Sequence, residues 1–136
     1  MGTFREAVDA KDMNAVEAML ADDVVFRSPV AFESYPGKAI TNAILRSVVE
    51  VFEDFHYVRE IDDDTKHALV FEAKVDGLEL TGCDFLVYDD EGKIIDFMVM
   101  VRPLKAAQAL AARMAERYPA IQAAAVAWTE AQSTAS

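Results

Sequence analysis

The sequence predicts a single α+β domain in which helices flank an antiparallel sheet. Segments with helical spacing of apolar residues come before and after a run of alternating, strand-like segments. The dipeptide Asp76-Gly77 separates two of those segments, as is typical of a tight hairpin. We expect the domain to span residues 1–131, with a core at 3–103, a helical extension at 104–131 and a frayed tail at 132–136.

Two short helices and one strand are predicted at the start of the chain. Apolar residues recur at helical spacing in 3–10 and in 15–20, and the segment 12–14 between them resembles a break with a cap. Residues 24–28 are rich in β-branched and aromatic side chains and stop at Pro29, which is typical of a strand.

A long helix and the remaining strands follow. A loop signal at Tyr35-Pro36-Gly37 precedes residues 39–54, whose apolar side chains form one helical stripe. Four strand-like segments come next, so we expect about five strands in all; the four lie at residues 55–61, 67–75, 78–88 and 93–101. Residues 104–118 have a helical composition, and Pro119 predicts a break or a fresh first turn before a second helical piece that ends near Ala131.

Composition argues against several classes of function. The net charge of -11 disfavours nucleic-acid and anionic-membrane partners, and no apolar run is long enough to span a bilayer. Residues 1–6 lack the features of a secretory signal and Cys83 is the only cysteine, so we expect a cytoplasmic protein. With one cysteine and two histidines, we expect neither a metal site nor a cofactor.

The residue that points most directly to function is Asp84, which interrupts the apolar run 80–88. Burying an ionised carboxylate is so costly that such a group finds donors, raises its pKa or lines a cavity that solvent reaches. A carboxyl of this kind could transfer protons near neutral pH. The alternative is a structural aspartate that accepts a hydrogen bond from Ser28, Tyr35, Tyr57 or a backbone amide.

The two histidines are weaker candidates. His56 could form an acid/base pair with Asp84 if its strand turns it inward, whereas His67 is expected at the surface beside an acidic turn. Arg27 and Arg102 fall on the outward parity of their strands, so we expect ion pairs there.

The order of the elements and several short motifs resemble the SnoaL-like branch of the nuclear transport factor 2-like superfamily. The matching motifs are FREAVDAKD at 4–12, LADDVVFRSPV at 20–30, Gly37, and the segment from Asp84 to GKII at 92–95. The resemblance implies a cone-shaped, curved antiparallel sheet that wraps around the long helix and encloses an apolar small molecule. With strand parity, it places these residues in the cavity wall: Phe4, Phe26, Ser28, Tyr35, Phe71, Asp84, Leu86, Tyr88, Phe97 and Val99.

The resemblance does not extend to the polar groups of a steroid isomerase, and the sequence argues against that activity because two of the three groups are missing. Ketosteroid isomerases use a general-base aspartate, a tyrosine and a neutral aspartate; the matching positions here are Ser28, Phe4 and Asp84. Two hypotheses remain open. One is an isomerase, cyclase or hydrolase with Asp84 as its acid/base; the other is a non-catalytic ligand-binding or scaffold protein.

The last strand is apolar on both faces, because Met98 and Met100 lie opposite Phe97 and Val99. A homodimer through the convex face of the sheet would cover the methionines. The helical extension could instead cover that face or close the cone, and the sequence leaves these alternatives open.

Overall fold

The computed structural model describes residues 3–135, so the predicted domain start at residue 1 and the end of the predicted tail at residue 136 lie outside the described residues. The helices are α1 (Phe4–Asp9), α2 (Met13–Met19), α3 (Lys38–Val51) and α4 (Leu104–Ala135). The strands are β1 (Leu20–Arg27), β2 (Tyr35–Pro36), β3 (Glu53–Asp63), β4 (Lys66–Val75), β5 (Leu78–Tyr88) and β6 (Ile94–Arg102).

The two N-terminal helices are fixed by side-chain caps. Thr3 and Glu6 form a reciprocal capping box at the start of α1, in which the Thr3 hydroxyl accepts the Glu6 N–H at 3.2 Å. Asp12 accepts the Ala15 N–H at 3.1 Å at the start of α2. The prediction of two short helices separated by a cap is therefore confirmed.

The six strands form one curved sheet in the order β2-β1-β6-β5-β4-β3. The α+β class is confirmed, but the sheet is mixed, because β1 and β6 pair in parallel with Phe26 opposite Phe97. The consecutive strands from β3 to β6 pair antiparallel with one another. The loop expected at Tyr35-Pro36 forms the short strand β2, which pairs antiparallel with β1 and brings the number of strands to six instead of the expected five.

The predicted hairpin between β4 and β5 turns at Asp76 and Gly77. Both residues have positive φ, 52° and 78°, which is the backbone of a tight turn between twisted strands. Val75 lies opposite Leu78, so the register begins directly at the turn. This register places Asp84 opposite Leu69 on β4.

Helix α4 passes through Pro119 without a break, contrary to the expected break or restart, and it runs on to Ala135, where a frayed tail was predicted. Pro119 is exposed, so the backbone carbonyl that loses its hydrogen bond can be solvated. Leu110 and Ile121 are buried on either side of the proline, and this packing holds the two halves in one helix. Within residues 3–135, no helix has both the length and the apolar character needed to cross a bilayer.

Candidate functional site

A cavity of about 510 Å³ lies on the concave side of the sheet, bounded by the four helices and the strands. Among the described residues that line it, Asp84 is the only one with a charged side chain. The other polar side chains of the wall are hydroxyls, and they belong to Ser28, Tyr35, Tyr57 and Tyr118. The cavity is therefore an apolar space with one carboxyl.

Asp84 projects from β5 into this space and is 7% exposed. Its neighbours across the sheet are Leu69 on β4 and Val99 on β6, both apolar. The Tyr57 hydroxyl donates a hydrogen bond to Asp84 Oδ2 at 3.1 Å. Within residues 3–135, this is the one hydrogen bond found for the carboxyl group, and Oδ1 has no side-chain partner there.

Burial raises the pKa of Asp84 to about 7, although the hydrogen bond from Tyr57 acts in the opposite direction. Burial and the neighbouring Asp84 raise the pKa of Tyr57 far above its usual value. At neutral pH the Tyr57 hydroxyl therefore keeps its proton and remains a donor. Asp84 is divided between its neutral and ionised forms, so it can both accept and release a proton.

Two groups of aromatic rings form much of the cavity wall. The first group consists of Phe52, Phe55, Tyr57 and Phe71, with Phe55 and Phe71 centroids 4.8 Å apart. The second consists of Phe4, Phe26, Tyr35, Phe97 and Tyr118, with Phe26 and Phe97 centroids 5.6 Å apart. Asp84 lies between them, because β5 separates the strands that carry Phe71 and Phe97.

Gly82, two residues before Asp84 on the same face of β5, makes room for the Phe71 ring. A Cβ atom at Gly82 would lie 2.2 Å from Phe71 Cζ, closer than two carbon atoms can approach. Phe71 is itself 1% exposed and packs against Phe52 and Phe55, so its ring has little freedom to move aside. Glycine at this position lets the ring lie flat against the strand.

The structure places most of the predicted wall residues around the cavity. Those that line it are Phe4, Phe26, Ser28, Tyr35, Phe71, Asp84, Phe97 and Val99. Leu86 and Tyr88 do not line it: Leu86 is packed in the core and Tyr88 stacks near His67, with ring centroids 4.8 Å apart. Strand parity correctly places Leu86 and Tyr88 on the same face of β5 as Asp84, but it does not show where along the strand the cavity ends.

His56 does not pair with Asp84, contrary to the weaker hypothesis. It points away from the cavity because its neighbour Tyr57 points inward, and its Nε2 lies 3.2 Å from Glu72 Oε1. His67 contacts Asp62 at 3.2 Å near the β3–β4 turn. Arg27 makes the expected outward ion pair, with Asp96 at 3.1 Å.

Ser28 and Phe4 have structural partners at the positions where an isomerase would have its base and tyrosine. The Ser28 hydroxyl accepts the Val30 N–H at 3.1 Å. The Phe4 ring packs edge-on against Phe97, with centroids 5.5 Å apart. Neither residue supplies a proton acceptor for chemistry on a carbon acid.

Sequence reasoning missed several wall residues and did not single out Tyr57, which it weighed as one of several donors. The alternation of β3 carries a signal for Phe55 and Tyr57, since residues two apart share a face. Helix α4 contributes wall residues that no sequence pattern tied to the cavity; they are Leu110, Ala111, Met114, Ala115, Tyr118 and Ile121.

The chain has the cystatin-like fold, in which a curved sheet and helices surround a cavity, and solved NTF2-like proteins share this fold. The SnoaL-like domain family matches residues 2–97, and the chain belongs to that family. No curated protein matches the chain.

Two solved structures are similar over most of their length. One is described as a steroid delta-isomerase from Pseudomonas aeruginosa; it is 39% identical, with a TM-score of 0.81 and coverage of 86% of this chain and 87% of that chain. The other is an uncharacterised protein with a cystatin-like fold from Silicibacter pomeroyi, 34% identical, with a TM-score of 0.80 and coverage of 84% and 81%. An NTF2-like protein from Mesorhizobium loti, 15% identical with a TM-score of 0.66 and coverage of 74% and 85%, shares the fold alone.

Proposed function

We propose that this protein is an isomerase-type enzyme that moves a proton within an uncharged, largely apolar carbonyl compound bound in the cavity. The observation that carries the proposal is Asp84, a single buried carboxyl with a pKa of about 7 in an otherwise apolar wall. A proton-transfer group is most effective when its pKa lies near the working pH, because both forms are then available.

The character of the wall supports an uncharged substrate. No cation lines the cavity among the described residues, so an anionic ligand would lose its hydration without gaining a partner. The same wall offers aromatic rings on both sides of the carboxyl. A flat molecule with one carbonyl near Asp84 fits these properties.

The proposed reaction needs no oxidant or reductant. Ionised Asp84 removes a proton from the carbon next to the carbonyl of a β,γ-unsaturated ketone, and the C–H electron pair moves into the carbonyl to give a dienolate. The protonated carboxyl then returns the same proton to the γ carbon, so the double bond shifts into conjugation. This use of Asp84 differs from the isomerase arrangement with a base at position 28, and the similarity to the Pseudomonas aeruginosa protein supports the reaction class.

The test measures the conversion of a bicyclic β,γ-unsaturated ketone to the conjugated enone, which is monitored through the ultraviolet absorbance of the enone. We expect Asp84→Asn to lower kcat/KM by about 10²- to 10⁴-fold, the usual contribution of one acid/base group. Asp90→Asn is the matched control, because Asp90 is exposed in the β5–β6 turn. Full activity in Asp84→Asn, with the fold intact, would overturn the proposal.

A second candidate function is non-catalytic binding of the same kind of ligand. It is favoured by the structural roles of Ser28 and Phe4, which leave Asp84 with Tyr57 as its polar partner. Binding without chemistry predicts that the conjugated enone raises the melting temperature while the β,γ-unsaturated ketone is never converted. Conversion that depends on Asp84 would exclude it.

A further inference from the structure

We infer that Tyr57 is the positioning residue of the site: its hydroxyl holds Asp84 Oδ2 so that Oδ1 faces the ligand and the ionised carboxyl is stabilised. This role rests on the proposed function, in which ionised Asp84 removes a proton from the substrate. Tyr57 would then stabilise the ionised carboxylate during that step.

The Tyr57 ring is held in place by its surroundings. It meets the Phe55 ring edge-on at 5.0 Å and the Phe71 ring at 6.3 Å, with interplanar angles of 85° and 90°. The side chain is buried, with the residue 7% exposed. With the ring held in this way, the hydroxyl oxygen stays 3.1 Å from Asp84 Oδ2 and can turn its hydrogen toward that oxygen.

Charged groups reach Tyr57 from two elements. Asp84 faces it from β5, and Arg5 and Asp9 face it from α1, with the Arg5 guanidinium 5.8 Å from the ring centroid. Arg5 is anchored in turn to Glu60 at 3.4 Å on the strand that carries Tyr57. Helix α1 thus contacts the tyrosine ring through the Arg5 guanidinium.

The hydrogen bond gives the two carboxyl oxygens different roles: Oδ2 is held by Tyr57, and Oδ1 is the oxygen that would contact the ligand. Oδ2 accepts from Tyr57, and no residue in the range 3–135 competes for Oδ1. Without the tyrosine, the carboxyl could rotate and its ionised form would lose the donor that the described part of the chain supplies. A hydrogen bond to the charged form favours that form, so its removal shifts protonation of Asp84 to higher pH.

The test is a pH titration of Asp84 by carbon NMR of isotope-labelled aspartate in the ligand-free protein, with the resonance assigned by its absence in Asp84→Asn. We expect Tyr57→Phe to raise the titration midpoint by roughly one to two units, the effect of one hydrogen bond to a charged group. Tyr118→Phe is the matched control, since Tyr118 also lines the cavity but belongs to the other aromatic group, and it should leave the midpoint unchanged. An unchanged or lowered midpoint in Tyr57→Phe would overturn the inference.

A second measurement uses the wild-type protein and so does not depend on the folding of the variant. The ring carbon that bears the Tyr57 hydroxyl should change its resonance at the same midpoint as Asp84, because protonation weakens the acceptor. The absence of this response would also overturn the inference. Neither NMR measurement requires turnover. A protein without isomerase activity could therefore still show the Tyr57 effect on Asp84, and an active enzyme could lack it.

Once turnover is established, the pH dependence of Tyr57→Phe distinguishes a positioning role of Tyr57 from a purely structural one. Tyr57→Phe should move the acidic limb of the kcat/KM profile to higher pH by the shift that NMR measures, while kcat at high pH is largely retained. A uniform loss at every pH, with no movement of the limb, would contradict a positioning role.

Discussion

At the residue scale, the main feature of this protein is a carboxyl that the fold makes less acidic. Asp84 faces an apolar wall, and the hydrogen bond that it accepts from Tyr57 offsets only part of the cost of burying its charge. The protein therefore favours the neutral form of Asp84 more strongly than the unfolded chain does. This preference links a group in the cavity to the stability of the whole domain.

We predict that Asp84 makes the protein less stable as pH rises. Its folded pKa of about 7 is raised from an ordinary value near 3.8, so its favourable contribution is complete below the lower value and is lost as pH rises through the higher one. Chemical denaturation between pH 4 and 8 should show a decline in the free energy of unfolding that Asp84→Asn lacks, on the order of a few kcal/mol. Asp90→Asn should retain the decline, and an identical profile for the wild type and Asp84→Asn would contradict the prediction.

At the element scale, helix α4 closes the cone. Six of its residues line the cavity, and Arg113 and Arg117 tie the helix to the rest of the domain by ion pairs with Asp76 and Glu50. Of the alternatives that the sequence left open for the helical extension, the wall residues favour closure of the cone. The size of the cavity therefore depends on small side chains of this helix, such as Ala111.

We predict that Ala111→Phe weakens ligand binding without unfolding the protein, because the larger side chain fills part of an existing cavity. The affinity for the conjugated enone, measured by calorimetry, should fall roughly tenfold or more. Ala112→Phe is the matched control, since Ala112 is exposed and does not line the cavity. Equal affinities in the two variants would show that α4 does not limit the ligand space.

The local elements could be predicted from the sequence because their signals are local. The capped break at Asp12, the Asp76-Gly77 hairpin and the face of Asp84 all depend on residues within a few positions of one another. The parallel pairing of β1 with β6 and the closure by α4 depend on contacts between distant segments. For the same reason Pro119 misled the sequence analysis, since tertiary packing on both sides of it preserves the helix.

At the scale of the whole molecule, strands β5 and β6 carry a group of apolar side chains on the outer face of the sheet. Cys83 lies opposite Met100, and Phe85 lies opposite Met98, all on the side of β5 and β6 away from Asp84. Met100 is 52% exposed, and the other three are half-buried. Apolar side chains grouped at a surface commonly mark an interface, and a second copy of the chain would cover them on both protomers.

We therefore predict a homodimer through this face. Light scattering should give about twice the monomer mass for the wild type, and Met100→Lys should halve it, because a charge would be buried in an apolar contact. Val126→Lys is the matched control, since Val126 is similarly exposed but lies on α4. A monomeric wild type would refute the prediction.

The glycine at position 82 has a wider consequence for how this cavity could be reshaped. Gly82 is not part of the wall, yet the ring that it accommodates, Phe71, is. Any side chain introduced at 82 would clash with that ring, which Phe52 and Phe55 already hold in place. The shape of the wall at Phe71 thus depends on a residue outside the wall, so a substitution at position 82 would disturb the site without replacing any side chain that lines it.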